Sequence, residues 1–183
     1  MSMNCPEHFE KIISEQEVFA GKVFRVGLRD VVLENGEQSK REVVYHNGGV
    51  AVLPIDEQGN VYFVRQYRSA FEREVLEIPA GKLEKGENHL EAGKRELQEE
   101  TGFTAKEFIY LGEYWPTVGY CSERIYLYLA KGLTAGETNF DSDEFITTEK
   151  MPYNQMYKMC MDNEIRDGKT QIAVLKAKGY IDM

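Results

Sequence analysis

Residues Gly81 to Phe103 read GKLEKGENHLEAGKRELQEETGF, and the second half of this stretch carries a helical pattern. A helix advances about 100° per residue. With Leu97 taken as zero, Leu90, Gly93 and Thr101 fall within about 40° of it and form a core stripe. The helix is predicted over Asn88–Thr101, closed by Gly102, a residue type suited to the left-handed C-terminal position. Glu96, Glu99 and Glu100 share a sector about 100° wide beside the stripe. Carboxylates this close raise one another's pKa unless cations sit among them. Hard divalent cations such as Mg²⁺ take oxygen ligands and bridge carboxylates to phosphates. Arg95 lies one turn before Glu99 and is placed to pair with it and orient it. A solvated acidic face is the competing reading. Against it, Glu96 and Glu100 are one turn apart and flank the buried stripe. The preceding Gly-rich stretch, Pro79-Ala80-Gly81 to Gly86, also lets backbone carbonyls and Glu87 approach the same place. On spacing alone the two readings are evenly matched.

Outward from this helix, alternating apolar runs predict strands near Val23–Leu33, Arg41–Tyr45, Val50–Pro54, Val61–Gln66 and Val75–Ile78. Asn35-Gly36 reads as a hairpin turn, and Asp56 to Asn60 as a second. Beyond the helix, strands are expected near Glu107–Leu111, Arg124–Ala130 and Phe145–Thr148. Two helices follow, Pro152–Asp162 and Asp167–Lys178, with Pro152 suited to a first turn. This order points to an α+β fold with a mixed sheet and helices packed on it. The first 46 residues read as a strand segment forming a small antiparallel sheet, and 47–183 as the main domain. No Pro/Gly/Ser linker separates them.

The chain has 183 residues, 42% hydrophobic and 29% charged, within the range of a single globular domain. Its formal charge of -9 argues against nucleic acid and anionic membrane surfaces as partners. An acidic protein that binds a diphosphate needs cations in its site. Cys5, Cys121 and Cys160 show neither metal-type pairing nor a disulfide ladder, which favours a reduced, cytoplasmic setting. No secretory signal is visible at the start, and the longest apolar stretch, Gly49–Ile55, is too short to span a bilayer.

The segment resembles the Nudix box: Gly, five residues, Glu, seven residues, then Arg-Glu-aliphatic-any-Glu-Glu-any-Gly-aliphatic. Gly81, Glu87, Arg95, Glu96, Leu97, Glu99, Glu100 and Gly102 fall on it, with Phe103 at the loosely apolar last position. Seven fixed positions match by chance on the order of once in 10⁸ to 10⁹ windows. Arg41-Glu42-Val43-Val44, Gln66-Tyr67-Arg68, Glu77 to Lys82, Val118 to Glu123, and the tail Glu164-Ile165 with Asp167 and Thr170 are similar to the ADP-ribose pyrophosphatase branch. The resemblance implies an α/β/α sandwich that cleaves a nucleoside diphosphate linked to another group. It also implies a homodimer with an exchanged N-terminal sheet. One departure is Val118, where ADP-ribose-specific members carry proline before Gly119. It keeps other nucleotide sugars open as substrates.

Hydrolysis of a diphosphate builds negative charge on the attacking and leaving oxygens, and cations offset it. The expected ligands of Mg²⁺, with Mn²⁺ as an alternative, are Glu96, Glu99, Glu100 and, as the resemblance implies, the carbonyl of Ala80. Glu99 is either a ligand or a support for one, and Arg95 an orienting residue. A general base is expected on the acidic run Asp141-Ser142-Asp143-Glu144, with Glu144 first and Asp143 second, and a solvated turn as the alternative. Glu123 is a further candidate base or a substrate contact. Arg41, Glu42 and Arg68 are candidate substrate contacts, with surface ion pairs as the alternative for the arginines. Phe24 or Tyr120 is placed to stack on a base, and Trp115 to line a pocket, or each to pack. Three functions follow: an ADP-ribose pyrophosphatase, a broader nucleoside diphosphate sugar pyrophosphatase, and, lowest, a non-catalytic nucleotide-sensing module. The last ranks low because all box carboxylates are present.

Overall fold

The computed structural model describes residues 8–139 and 145–181. The chain divides into two compact units. One runs up to Asn47 and includes Trp115–Glu123; the other takes Gly48–Tyr114 and the chain from Arg124 onward.

The first unit holds an antiparallel sheet in the order β1 (Lys11–Ala20), β2 (Phe24–Val32), β3 (Gln38–His46). The β2–β3 hairpin turns at Asn35-Gly36, where Gly36 has a φ of 86°, a conformation that a side chain would disfavour. Trp115–Glu123 joins this unit through Val44, whose N–H donates to the Tyr120 carbonyl at 2.7 Å and whose carbonyl accepts from Ser122 N–H at 2.9 Å. The β1 strand lies outside every predicted run. All ten of its residues are exposed, so it lacks the in–out alternation that marks a half-buried strand.

The second unit is built on a mixed sheet in the order β7 (Ala80–Lys82), β4 (Gly49–Pro54), β9 (Ile125–Ala135), β8 (Phe103–Tyr114). The β4 and β9 strands run parallel; the other pairs are antiparallel. A smaller antiparallel sheet orders β10 (Thr147–Pro152), β5 (Asn60–Arg68), β6 (Arg73–Glu77). Because side chains alternate along a strand, β4 feeds two cores. Val50 and Val52 pack with Ala92 and Leu97 of α1 (His89–Thr101). Ala51 and Leu53 pack with Met156 of α2 (Tyr153–Met161) and with Ala173, Val174 and Ala177 of α3 (Gly168–Ile181). The unit is therefore an α/β/α sandwich, as expected. The predicted helices appear within a residue or two at their starts. The stretch read only as a Gly-rich loop forms β7, too short to show a period of two.

Candidate active site

Asn88 starts α1 by accepting the amides of Leu90 at 2.9 Å and Glu91 at 3.3 Å on its side-chain oxygen. Gly102 ends it at a φ of 73°, its N–H donating to the Gln98 carbonyl. Between these caps, α1 packs across β4 and β7.

Two glutamates of α1 meet the backbone of β7. Glu100 accepts the Ala80 amide on Oε2 at 3.1 Å and is only 3% exposed. The helical wheel places it beside the core stripe; packing puts it inside the core. Glu96 lies over Gly81, so closely that a Cβ built on that glycine would stand 1.9 Å from its carboxyl carbon. The absence of a side chain at Gly81 makes the cradle in which this carboxylate rests.

Arg95 does more than the expected pairing with Glu99. Its guanidinium donates to Glu99 at 2.9 Å, to Glu96 at 2.7 Å, and to both oxygens of Glu87 at 3.2 and 3.3 Å. Burial disfavours the charge on Arg95, but Glu87 and Glu96, with Glu99, more than offset this and hold it firmly protonated. Glu87 also accepts the Glu84 amide at 2.9 Å, closing the loop before the helix. One arginine thus supplies part of the positive charge that the clustered carboxylates require.

Among the described residues, no group of three or more His, Cys, Asp or Glu side chains is arranged to cage a metal ion. The donors gathered here are of another kind: two carboxylates, Glu96 and Glu100, at a strand of bare backbone. Mg²⁺ binds through one or two carboxylates, waters and substrate phosphates rather than an all-protein cage, so these donors fit it.

The remaining candidates divide between the units. In the second, Arg68 donates from Nε to Oε1 and from the terminal nitrogen to Oε2 of Glu77, both at 2.7 Å. In the first, Arg41 is bound to Glu10 and Ser39, and with Glu42 and Gly119 it lines a cleft of about 340 Å³. Glu123 stands 3.4 Å from His46. Phe24, Trp115 and Tyr120 are exposed, and Phe24 packs on Phe19 at 5.5 Å between ring centroids. Glu144 and Asp143 lie outside the described residues, as does Cys5.

Sequence reasoning left one buried group unassigned. Glu77, 1% exposed, meets Lys169, itself 9% exposed, as well as Arg68. The available signal was the i, i+4 spacing of Lys169 with Ala173 and Ala177, which puts a lysine on the buried stripe of its helix.

A NUDIX domain profile matches residues 45–171, more than half of the chain. The chain belongs to the NUDIX domain family. This NUDIX chain is similar to an ADP-ribose pyrophosphatase of Bacillus subtilis (strain 168), with 40% identity over 167 residues and 90% of each chain covered. It is similar to the same extent to a methanol dehydrogenase activator of Bacillus methanolicus. A crystal structure of an ADP compounds hydrolase shares its fold, with a TM-score of 0.85, 23% identity and 94% of both chains covered. The NUDIX profile includes the whole Glu87–Gly102 segment, so Arg95, Glu96 and Glu100 sit within the family's own domain.

Proposed function

We propose that this NUDIX chain hydrolyses the diphosphate of ADP-ribose to AMP and ribose 5-phosphate with Mg²⁺, or Mn²⁺ in its place. The observation that carries this reading is the convergence of Glu96 and Glu100 on the Ala80-Gly81 backbone, within a chain 40% identical to an ADP-ribose pyrophosphatase. Glu96 and Glu100, with the Ala80 carbonyl and Glu99, would hold the cation. Bound there, it would offset charge on the phosphate oxygens.

The reaction joins a water oxygen to one phosphorus and breaks that phosphorus's bond to the bridging oxygen. The water proton goes to a general base, Glu144 first, then Asp143, with Glu123 as the third candidate. Asn139 and Thr148, which bracket the acidic run in sequence, donate to the Glu99 and Glu100 carbonyls at 3.0 and 3.1 Å and so support a base from this run. Arg95 orients Glu99 and Glu96. Arg41, Glu42, Arg68 and Glu123 carry the substrate-recognition part of the proposal, for which replacement should raise KM more than it lowers kcat. Arg41 and Arg68 would exchange a carboxylate partner for a phosphate.

Residues 1–46 are proposed as a dimerising segment and 47–183 as the hydrolase domain. The support is the β1 edge strand, which exposes Ile12, Ile13, Val18 and Phe19. Light scattering should report a dimer, and a monomer at micromolar concentration would refute this part. The free thiols of Cys121 and Cys160 support a cytoplasmic setting.

The deciding experiment incubates the protein with Mg²⁺ and ADP-ribose and identifies the products. AMP and ribose 5-phosphate, formed with Mg²⁺ and lost with chelator, are expected; hydrolysis that survives chelator would overturn the reading. Exposed Val118 favours one second reading, a broader nucleoside diphosphate sugar pyrophosphatase. A panel of such sugars tests it, and comparable turnover of several would replace the narrow assignment. Because one relative's name refers to a dehydrogenase, the panel includes the dinucleotide cofactors of such enzymes, which also contain a diphosphate.

A further inference from the structure

The chain between β6 and β7 is three peptide links long and leaves one sheet for the other. Pro79 has no N–H, so Ile78 and Ala80 supply the amide donors between Glu77 and Gly81. Neither amide is left to water. Ile78 N–H donates to Thr170 Oγ1 at 2.9 Å, and Ala80 N–H to the Glu100 carboxylate at 3.1 Å. The Pro79 carbonyl accepts from Val52 N–H at 2.9 Å. The segment that meets Glu100 is therefore held at its other end by the first turn of α3.

That first turn is itself fixed by charge. Asp167 accepts Thr170 N–H at 3.0 Å and its hydroxyl at 2.5 Å on one oxygen, and Lys169 Nζ at 3.0 Å on the other. The Lys169 ammonium also meets the Glu77 carboxylate, the residue that begins the crossing. Lysine is almost never this buried unless paired, and an isolated buried ammonium is strongly disfavoured. Here two cations, Arg68 and Lys169, face two carboxylates, Glu77 and Asp167, 92 positions apart along the chain from Glu77 to Lys169. A buried lysine tied to Glu77, where this segment begins, and to Asp167, which holds the Thr170 that anchors Ile78, fixes geometry in a way that apolar packing would not, because its bonds are directional.

We propose that Lys169 is a positioning residue for the NUDIX site: by holding Glu77 and Asp167 together, it sets the Ile78–Ala80 backbone against which Glu100 is aligned. This rests on the reading of Glu96 and Glu100 as cation ligands. Lys169 itself need not touch substrate or ion. Groups that orient metal ligands in this way change cation affinity about 10- to 100-fold when lost.

The test compares the full-length wild type with Lys169→Met, Lys169→Arg and Thr170→Val. It reads Mn²⁺ binding by electron paramagnetic resonance, with thermal unfolding and ADP-ribose kinetics alongside. Lys169→Met should weaken Mn²⁺ binding about 10- to 100-fold. Its kcat should fall while KM for ADP-ribose stays within about 3-fold, because no substrate contact is removed. Lys169→Arg, which keeps the charge, should recover most of the affinity. Thr170→Val removes the acceptor of the Ile78 amide and should shift Mn²⁺ binding in the same direction; it serves as the decisive variant should Lys169→Met not fold. A folded Lys169→Met or Thr170→Val with wild-type Mn²⁺ affinity would overturn the proposal, as would a wild type that binds no Mn²⁺. A wild type that binds Mn²⁺ but leaves ADP-ribose intact would instead defeat the proposed substrate, and the binding comparison would still decide the role of Lys169.

Discussion

The carboxylate of Glu96 lies directly over the α-carbon of Gly81, at a spacing that no side chain at position 81 could share. Gly81 does not adopt a positive φ, so its role is close approach rather than an unusual backbone conformation.

Gly81→Ala should therefore leave the fold intact and displace Glu96. The backbone there accepts alanine, and thermal stability should change by no more than about 1 kcal/mol. Turnover of ADP-ribose should fall about 100-fold, the scale expected when a reacting group moves by an ångström. Steady-state kinetics beside a thermal melt checks this, and full activity with alanine in place would show that the Glu96 position is immaterial.

Glu100→Gln probes the other carboxylate. Glutamine keeps an acceptor for the Ala80 amide but loses the charge. With its hydrogen bond retained in the core, the cost in stability should be about 1 kcal/mol. Mg²⁺-dependent turnover should drop about 100-fold or more. The two values, measured on one preparation, separate charge from packing. A large loss of stability with little loss of turnover would reverse the assignment.

The acid limit of stability should depend on Glu77. Burial alone would raise its carboxyl, but Arg68 and Lys169 outweigh burial and hold it below the ordinary carboxylate range. Its folded pKa thus lies below the unfolded value of about 4.3. The folded state binds that proton less readily, so the contribution is fully present above about pH 4.3 and is lost as pH falls through the folded value. Urea denaturation at a series of pH values should show wild type losing stability below this point. Glu77→Gln should be about 3 kcal/mol less stable at pH 7, since buried Lys169 and the partly exposed Arg68 lose a charged partner, and its acid slope should be shallower. Parallel slopes for the two proteins would rule out the linkage.

Cys160 should be unreactive in the folded protein. Burial pushes its thiol up to about 11, so little thiolate exists at pH 8. Alkylation at pH 8 followed by peptide mapping should leave Cys160 unmodified in buffer and label it fully in guanidinium. Rapid labelling in buffer would mean that the α2–α3 side of the core opens freely.

The sequence determined the parts whose code is local. Helix α1 follows from the 3.6-residue recurrence of Leu90, Gly93 and Leu97 between a capping Asn88 and Gly102, and the same spacing puts Arg95 beside Glu99. The positions of Gly81, Glu87 and Glu96 carry the resemblance to the Nudix box, whereas helical spacing alone suits a solvated acidic face equally well. Strand β1, whose ten residues are all exposed, and β7, three residues long, were not legible, because neither has a buried face to impose a period. What only the tertiary structure decided was burial and distant pairing. Glu100 lies inside the core rather than beside it. Glu87 and Glu96 share Arg95 with Glu99, and Arg68 turns to Glu77. Lys169 reaches back across the chain to the same carboxylate. Nearest neighbours within a turn are fixed by backbone geometry, whereas partners 92 positions apart are fixed only when the sheets and α3 pack and bring each buried charge within reach of opposite ones.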